Sequence, residues 1–319
     1  MKKSVSVILC IVLLVIGGGL LFRNHAINDV QHERRVVDSL DRVVMIPERP
    51  KRIVMLNASN LELFYAVGGA DLIVGKPTSQ ALSDAIQLAT QNAAEIGVIH
   101  SPDIEKILEL KPDLVIGVNV PFHHSLIPIL EAANIPLLVK SLDTYEEVID
   151  TLAFYGELIG RETRATEQIA SVKSKYEAAL ALSQGKVAPS NLMIWGSAES
   201  FSMATGQSFV GDLVNRLGGN NIADALGKDA GSFVPLSMEY IAKTNPEVIF
   251  LITHSSDEKV NQKFRQELNQ HPAWQGIRAV QNNRVYTLPY QLFAVNPGTR
   301  VAEAMEILAN RLYADGGNP

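Results

Sequence analysis

Apolar residues recur at helical spacing through residues 161–182, RETRATEQIASVKSKYEAALAL, a stretch with neither Gly nor Pro. The apolar positions share one face of a helix and are Ala165, Ile169, Val172, Tyr176, Ala179 and Leu180. This pattern predicts one long amphipathic helix. At about 1.5 Å per residue it would span roughly 33 Å, the width of a small domain.

The segments on the two sides of this helix share one pattern. Residues 104–116 (IEKILELKPDLVI) align without a gap with residues 238–250 (MEYIAKTNPEVIF). In each, a short helix follows a Ser suited to cap it, Ser101 or Ser237, and stops before a Pro. An apolar run follows, as expected of a buried parallel strand. The alternative is that helix, Pro, acidic residue and strand is a common α/β pattern that occurs twice without an internal repeat of the fold. The sharper prediction is an α/β protein with two Rossmann-like lobes joined by a single long α-helix.

The remaining pattern of the first half alternates strands and helices. Its predicted elements are strands at 42–45 and 52–56, a helix at 61–67 that ends at Gly68-Gly69, and a strand at 72–75. The last three form a βαβ unit. Residues 28–35 are polar and predict a tether. In the second half, residues 192–195 predict a strand and residues 196–206 a polar loop.

Candidate ligand contacts follow from the strand order, because parallel sheets bind ligands beyond the carboxyl ends of their strands. In the first lobe the candidates are Asn57, Ser59, Asn60, Lys76, Phe122, His123 and His124. In the second lobe they are Trp195, Phe201, Phe233, His254, Tyr290 and Phe293. Each His of the pair His123-His124 either touches a metal, a haem edge or an anionic chelate, or is an ordinary solvated residue. Lys76 either neutralises an acidic ligand or lies at the surface. We expect the aromatic candidates to divide between core and cleft.

The composition sets the class of protein. The 319 residues are 47% hydrophobic and 19% charged, which leaves room for two ordinary domains. A net charge of −6 argues against a nucleic-acid partner. The sequence contains no Gly-x-Ser-x-Gly, His-Glu-x-x-His, Walker or Gly-x-Gly-x-x-Gly motif of the kind that marks many enzymes.

Residues 1–27 predict a leader. Lys2 and Lys3 precede an uncharged apolar run at residues 4–22, which is typical of an export signal. The run is also long enough to span a bilayer, and no clear cleavage site precedes residue 28, so an uncleaved membrane anchor is the alternative. Cys10 is the single cysteine, and the Leu before it disfavours lipidation. The exported body therefore has no disulfide and no thiolate metal site.

Four stretches of the body resemble one protein family. They are residues 50–63 with the sequel 68–71, residues 101–116, residues 209–213 with 217–221, and residues 237–250. Together they are similar to the substrate-binding proteins of bacterial ABC importers, in the group that carries ferric siderophores, haem and vitamin B12. The resemblance implies a lobe at 28–160, a rigid linking helix at 161–183 and a lobe at 184–319. It also implies that an acidic residue near a helix start in each lobe, here Glu105 and Glu239, pairs with arginines of the membrane permease.

The function implied by this resemblance is capture of an iron complex, a siderophore or haem, between the lobes and its delivery to a permease with its ATPase. We expect a monomeric, periplasmic or cell-surface protein without catalysis, nucleic acid or a cofactor of its own. His123, His124, His254 and Tyr290 are the candidate iron contacts if the ligand is haem. A bare metal ion is the least favoured ligand, because the chain lacks closely spaced carboxylate and His ligands.

Three alternatives remain open at this point. A cobalamin-binding protein of the same family needs aromatic walls, which the candidates supply. A membrane-tethered sensor fits an uncleaved leader but does not explain the repeated glutamates. An enzyme is a further alternative, because catalytic groups that are distant in sequence leave no regular spacing.

Overall fold

The computed structural model describes residues 32–196, 200–227, 231–253 and 258–314. The predicted leader at 1–27, with its apolar run at 4–22 and Cys10, and also His254, lie outside the described residues. Residues 34–319 form one compact unit that contains both lobes.

The first lobe is built on a five-stranded parallel sheet. The first-lobe strands are β1 (Glu33–Val37), β2 (Val43–Pro47), β3 (Ile53–Met55), β4 (Ile73–Lys76), β5 (Ala94–Glu95), β6 (Gly97–Val98), β7 (Ser101–Pro102), β8 (Leu114–Gly117) and β9 (Leu137–Val139). The sheet order is β5-β4-β3-β8-β9, and each neighbouring pair is parallel. β1 pairs with β2, and β6 with β7, as separate two-stranded ribbons. The central strands β3 and β8 are fully buried because helices cover both faces.

The helices of the first lobe follow the strands in α/β order. They are α1 (Ala58–Ala66), α2 (Asp84–Ala89), α3 (Ile104–Glu109), α4 (Pro121–His124), α5 (Ile127–Ala132) and α6 (Tyr145–Ile159). α6 begins with a capping box in which Thr144 and Glu147 each bind the other's backbone N–H. It ends at Gly160, which has φ 69° in the left-handed region.

The predicted long helix is confirmed as α7 (Glu162–Leu180), followed by a 3₁₀ turn at Ala181–Ser183. Its buried residues are Ala165, Val172, Tyr176 and Ala179, all of which belong to the predicted apolar face. Its start is fixed to the first lobe, since Arg161 pairs with Asp71 at 3.1 Å and Arg164 Nε donates to the Ala66 carbonyl at 2.9 Å. The Tyr145 and Tyr176 rings stack at 3.8 Å where α6 packs on α7.

The second lobe contains a mixed sheet. Its strands are β10 (Ser190–Gly196), β11 (Phe201–Ala204), β12 (Asn220–Asn221), β13 (Phe233–Pro235), β14 (Val248–Thr253) and β15 (Val285–Thr287). The order is β13-β11-β10-β14-β15, with β12 also on β10. β10, β14 and β15 are mutually parallel, whereas β11 pairs antiparallel with β10 and β13 pairs antiparallel with β11.

The helices that follow α7 pack on this sheet and on α7 itself. They are α8 (Phe209–Arg216), α9 (Met238–Thr244), α10 (Glu258–Gln270), α11 (Pro272–Gln275), α12 (Arg278–Gln281), α13 (Tyr290–Phe293) and α14 (Val301–Leu312). In the described ranges, 3₁₀ turns among these helices lie at Ile222–Leu226 and Gly298–Arg300. α14 lies along α7 and joins the core that runs from the first lobe into the second.

The internal repeat is a structural repeat. β8 pairs with β3 in the same parallel register as β14 with β10. In each copy the acidic residue after the Pro binds the start of the neighbouring strand: Asp113 accepts from the backbone N–H groups of residues 51 and 52, and Glu247 from that of Ser190. The residue before each Pro has a positive φ, 46° at Lys111 and 49° at Asn245. The same backbone turn thus closes both helices.

Some sequence expectations for the elements were wrong. The first copy is capped by Asp103, whose carboxylate accepts from Lys106 N–H, because Ser101 is already part of β7. Part of the predicted tether is strand β1, and part of the predicted loop at 196–206 is strand β11. Both are short strands that pair with other strands, β1 with β2 and β11 with β10 and β13, and local patterning does not reveal such pairing.

Candidate functional site

The polar start of α1 forms a buried network at the carboxyl end of β3. Asn60 is fully buried, and its Nδ2 donates to Asn57 Oδ1 at 3.0 Å and to the Lys140 carbonyl at 3.1 Å. Tyr155 donates its hydroxyl to Asn60 Oδ1 at 2.7 Å. Asn57 and Asn60 therefore join β3, β9 and α6, and their side chains are used in the fold. Ser59, 7% exposed, lines a pocket described below.

Lys76 is placed inside the first lobe. It is 5% exposed, and its ammonium donates to Gln87 Oε1 at 3.0 Å and to Thr90 Oγ1 at 3.4 Å. Both partners lie in or at the end of α2. The ammonium thus binds α2 to the end of β4, and neither the surface position nor the role toward an acidic ligand fits this geometry.

His123 is a buried histidine of the first lobe. It is 0% exposed, and its Nδ1 accepts from Val118 N–H at 3.0 Å. A Cβ at residue 117 would lie 2.9 Å from this Nδ1, so Gly117 permits the approach. Burial lowers the His123 pKa to about 4 and keeps the imidazole neutral. The solvated interpretation of His123 is therefore wrong, and its Nδ1 lone pair is occupied.

Three side chains lie near His123 in sequence or through a ring contact, and two of them, Phe122 and His100, are exposed. Phe122 in α4 is 50% exposed, and its ring meets the ring of His100 edge to face at 6.2 Å. His100 is exposed at the turn between β6 and β7. His124 is half-buried, and its Nε2 is a buried atom that makes no hydrogen bond with any residue that the structure describes. We call His100, Phe122 and His124 the imidazole cluster.

His100 was not among the sequence candidates. It lies beyond β5, an edge strand of two residues that the apolar pattern did not reveal. The only sequence signal was its position between Gly97 and Ser101, the residue expected to cap the first repeated helix. The tertiary contact with Phe122 is what places it at the carboxyl edge.

The second lobe contributes a matching aromatic pair. Trp195, near the end of β10, and Phe233, at the start of β13, have ring centroids 5.0 Å apart. Phe233 is 45% exposed, and Trp195 is half-buried. Within the described part of the chain, Phe122 and Phe233 are the exposed aromatic side chains, one in each lobe.

Two aromatic candidates of the second lobe face the core. Phe293 is 2% exposed and packs in the core that includes α14. Phe201 packs on Phe264 at 5.3 Å, on the opposite side of the sheet from Trp195. Because Phe293 is buried in the core, it is not placed to contact a ligand in the cleft. The reason is strand and helix phase, since alternate residues of a strand point to opposite faces.

Two pockets border the loops at the carboxyl ends of the strands. The larger, about 300 Å³, is lined by Thr253, Asn261, Thr287, Leu288, Pro289, Tyr290 and Gln291. The smaller, about 50 Å³, is lined by Ala58, Ser59, Glu62, Ala81, Ser83, Ile86, Gln291, Val295, Asn296, Pro297 and Arg300. Gln291 lies in both, and the smaller one contains residues of both lobes. Partial burial raises the pKa of Tyr290, so its hydroxyl stays protonated at neutral pH.

Glu105 and Glu239 occupy equivalent places in the repeat. Each is exposed in the first turn of its helix, α3 or α9. A carboxylate is favoured there by the helix dipole. The two lobes thus present one accessible negative charge each at matching helix starts.

Comparison with known proteins decides the family. The model of the periplasmic binding protein family matches residues 53–292. This chain belongs to that family. The matched range covers α7 and most of both lobes, and the chain is therefore a substrate-binding component of an ABC import system, as the sequence predicted.

Relatives and solved structures agree with this family. The high-affinity heme uptake system protein IsdE of Staphylococcus aureus is 28% identical over 246 residues, 76% of this chain and 81% of the relative. The crystal structure of S. aureus IsdE complexed with heme superposes with a TM-score of 0.70 at 28% identity, covering 82% of this chain and 98% of that one. An ABC transporter substrate-binding protein from Listeria monocytogenes gives a TM-score of 0.73 at 25% identity, covering 84% and 100%.

The family also bears on location and chemistry. Periplasmic binding proteins work outside the cytoplasm and are binding proteins of transporters. Within the ranges that the structure describes, no helix combines the length and the hydrophobicity of a membrane span. Nor do those ranges contain a group of three His, Cys, Asp or Glu side chains placed to hold a metal ion.

Proposed function

We propose that this protein captures an iron complex with an aromatic face, haem above all, between its two lobes and delivers it to a membrane permease. The observation that supports this most directly is the pair of exposed aromatic rings, Phe122 in one lobe and Phe233 in the other. Small-molecule sites are lined predominantly by apolar and aromatic side chains, and a flat macrocycle offers two faces for such rings to cover. The binding of haem by IsdE supports the same ligand class.

The imidazole cluster supplies iron chemistry next to Phe122. A neutral imidazole with an exposed nitrogen is a common axial ligand of haem iron. His100 is the best placed of the first lobe, because it is exposed and touches Phe122, whereas His123 is buried. His124 is the second choice, and His254 and Tyr290 remain the proposed contacts from the other lobe. Trp195 would contact the ligand together with Phe233.

The walls favour a ligand of low net charge. The larger pocket is lined by hydroxyl, amide and apolar groups, and the first-lobe cluster contains imidazoles and one phenyl ring. Lys76 is bound to α2 and is withdrawn from the proposed contacts. A strongly anionic catecholate chelate needs several free cations, so it fits these walls less well than haem does.

We propose a monomer without catalysis, with a leader or membrane anchor at 1–27, lobes at 28–160 and 184–319, and the linking helix at 161–183. Glu105 and Glu239 would dock on arginines of the permease as a two-point contact. The repeated helix starts support this, because the repeat brings the two carboxylates to equivalent positions.

A ligand panel tests the proposal. The full chain in detergent is titrated with haemin, a ferric hydroxamate, a ferric catecholate and cobalamin, following protein fluorescence and, for haemin, the absorbance band of the porphyrin. We expect saturable haemin binding at micromolar concentration or below. Binding of another compound and not of haemin would refute haem as the ligand, and saturable cobalamin binding would favour the cobalamin alternative.

Variants then test the walls. Phe122→Ala and Phe233→Ala should each weaken haemin binding about tenfold, since a ring covered by ligand is worth on the order of 1.5 kcal/mol. His100→Ala should shift the porphyrin band, because it changes the axial ligand. Leu88→Ala, at a residue 68% exposed on α2, is the matched control and should leave the affinity unchanged.

A further inference from the structure

The segment 289–297 lines both pockets. It follows β15 in the second lobe, contributes Tyr290 and Gln291 to the larger pocket and Val295, Asn296 and Pro297 to the smaller one. Beyond it, Gly298–Arg300 forms a 3₁₀ turn that leads into α14. The position of this segment therefore sets part of the candidate ligand site.

The end of the segment is fastened to the first lobe. The carboxylate of Glu62, in α1, accepts from Thr299 N–H at 3.0 Å and from Thr299 Oγ1 at 2.6 Å. Asn296 Nδ2 donates to the Leu142 carbonyl, also in the first lobe, at 2.7 Å. The same segment thus belongs to the second lobe by its strand and to the first lobe by its hydrogen bonds.

The backbone at Gly298 makes the Glu62 contact possible. Gly298 has φ +58°, and a Cβ there would lie 1.6 Å from Glu62 Oε2. Asn296 Oδ1 accepts from Gly298 N–H at 2.7 Å and supports this turn. Any side chain at residue 298 would therefore have to displace the carboxylate.

The Glu62 contact is maintained by neutral donors. Arg300, whose charge acts on Glu62, makes its hydrogen bonds of 2.8 and 2.9 Å to Glu303. Burial raises the pKa of Glu62, and the two Thr299 hydrogen bonds and the Arg300 charge oppose this rise. Burying a carboxylate costs free energy unless it is hydrogen-bonded, and the two bonds from Thr299 offset part of that cost.

We propose that Glu62 is a positioning residue for ligand capture, which holds Thr299 and so places segment 289–297 against the first lobe. When the angle between the lobes changes, Tyr290 and Gln291 move relative to the first lobe. Ligand bound to these two residues then stabilises the lobe angle at which the Glu62–Thr299 hydrogen bonds form. This inference rests on the proposed function and names a residue that acts on ligand through another segment.

Glycine variants test the contact without changing Glu62 or Thr299. Gly298→Ala introduces the clash, while Gly185→Ala is the matched control, because Gly185 has φ +71° and nothing within 4 Å of the added Cβ. Both variants carry the strain of a left-handed Ala, so the difference between them isolates the clash. We expect Gly298→Ala to raise the haemin dissociation constant about tenfold, chiefly through the dissociation rate, and Gly185→Ala to stay within about twofold of wild type.

Variants at residue 62 test the carboxylate itself. Glu62→Ala should match Gly298→Ala, and Glu62→Gln should stay within about threefold of wild type, because its amide oxygen accepts from Thr299 N–H while its Nε2 donates to the rotated hydroxyl. The double variant Glu62→Ala/Gly298→Ala should bind no worse than either single variant, since the two changes remove one interaction. All variants are measured as the full chain, with folding monitored by circular dichroism and thermal unfolding.

The outcomes separate this inference from the proposed function. Altered unfolding temperature with unchanged haemin dissociation in Glu62→Ala and Gly298→Ala would overturn the positioning role and leave the function standing. Equal effects of Gly185→Ala and Gly298→Ala would overturn it too. If wild type binds another compound of the panel, the same rates are measured with that compound; if it binds none, the function and this inference both fail.

Discussion

Replacing His123 by Asn should remove a large pH-dependent loss of stability from this protein. In the structure His123 is fully buried, and its Nδ1 accepts from Val118 N–H at 3.0 Å. The side-chain oxygen of Asn can accept from the same N–H but cannot take up a proton. The variant therefore keeps the hydrogen bond and loses the titration.

The magnitude follows from the difference in proton binding. Burial lowers the folded-state pKa of His123 from 6.5 to about 4, so below pH 6.5 the unfolded chain binds the proton first. Stability is complete above pH 6.5 and is lost as pH falls toward 4. Between pH 7 and pH 5 the loss from this one group is about 2 kcal/mol, at 1.36 kcal/mol per unit of pKa difference.

Urea unfolding of the full chain at pH 7 and pH 5 measures this loss. We expect His123→Asn to lose about 2 kcal/mol less than wild type over this interval. The cavity left by the smaller side chain lowers the free energy of unfolding at both pH values, so it cancels in the difference. His271→Asn is the matched control, because His271 is exposed and its Nδ1 accepts from Ala273 N–H at 3.3 Å.

An equal pH dependence in wild type and His123→Asn would refute the reasoning. It would mean that His123 is solvated in solution and available to a ligand. Loss of haemin binding in His123→Asn, with the fold intact, would contradict it in a second way. The experiment thus decides between a structural imidazole and an iron contact.

Two further predictions concern docking and the buried polar network. Changing Glu105 and Glu239 together to Lys should abolish ligand uptake by cells and leave haemin affinity unchanged. The control is Glu109→Lys, on an exposed residue of the same helix α3, which should preserve uptake. Loss of haemin affinity in the double variant would refute the docking role of the two glutamates. Tyr155→Phe should lower the free energy of unfolding by about 1–3 kcal/mol in urea, because it removes the 2.7 Å hydrogen bond to the buried Asn60 Oδ1; an unchanged value would show that this oxygen has another donor.

The sequence by itself determined the periodic and repeated features of this protein. The apolar face of α7 was legible because its buried residues recur at helical spacing. The repeat could be read from the sequence because residues 104–116 and 238–250 align without a gap and a Pro follows the helix of each copy. Two lobes and a linking helix follow from these local signals, each of which depends on residues close in the chain.

Tertiary structure alone decided which candidate side chains face a ligand. His123 and Phe122 are adjacent in sequence, yet one is buried and the other is half exposed. The ring of His100 contacts that of Phe122, 22 residues later in the sequence. Glu62 accepts a hydrogen bond from Thr299, 237 residues later. Periodicity predicts the face of a helix or strand, but burial and partners are set by elements that are distant in sequence. The residues of the candidate ligand site therefore depend on how the lobes pack, whereas the two-lobed architecture of the protein could be predicted from local sequence patterns.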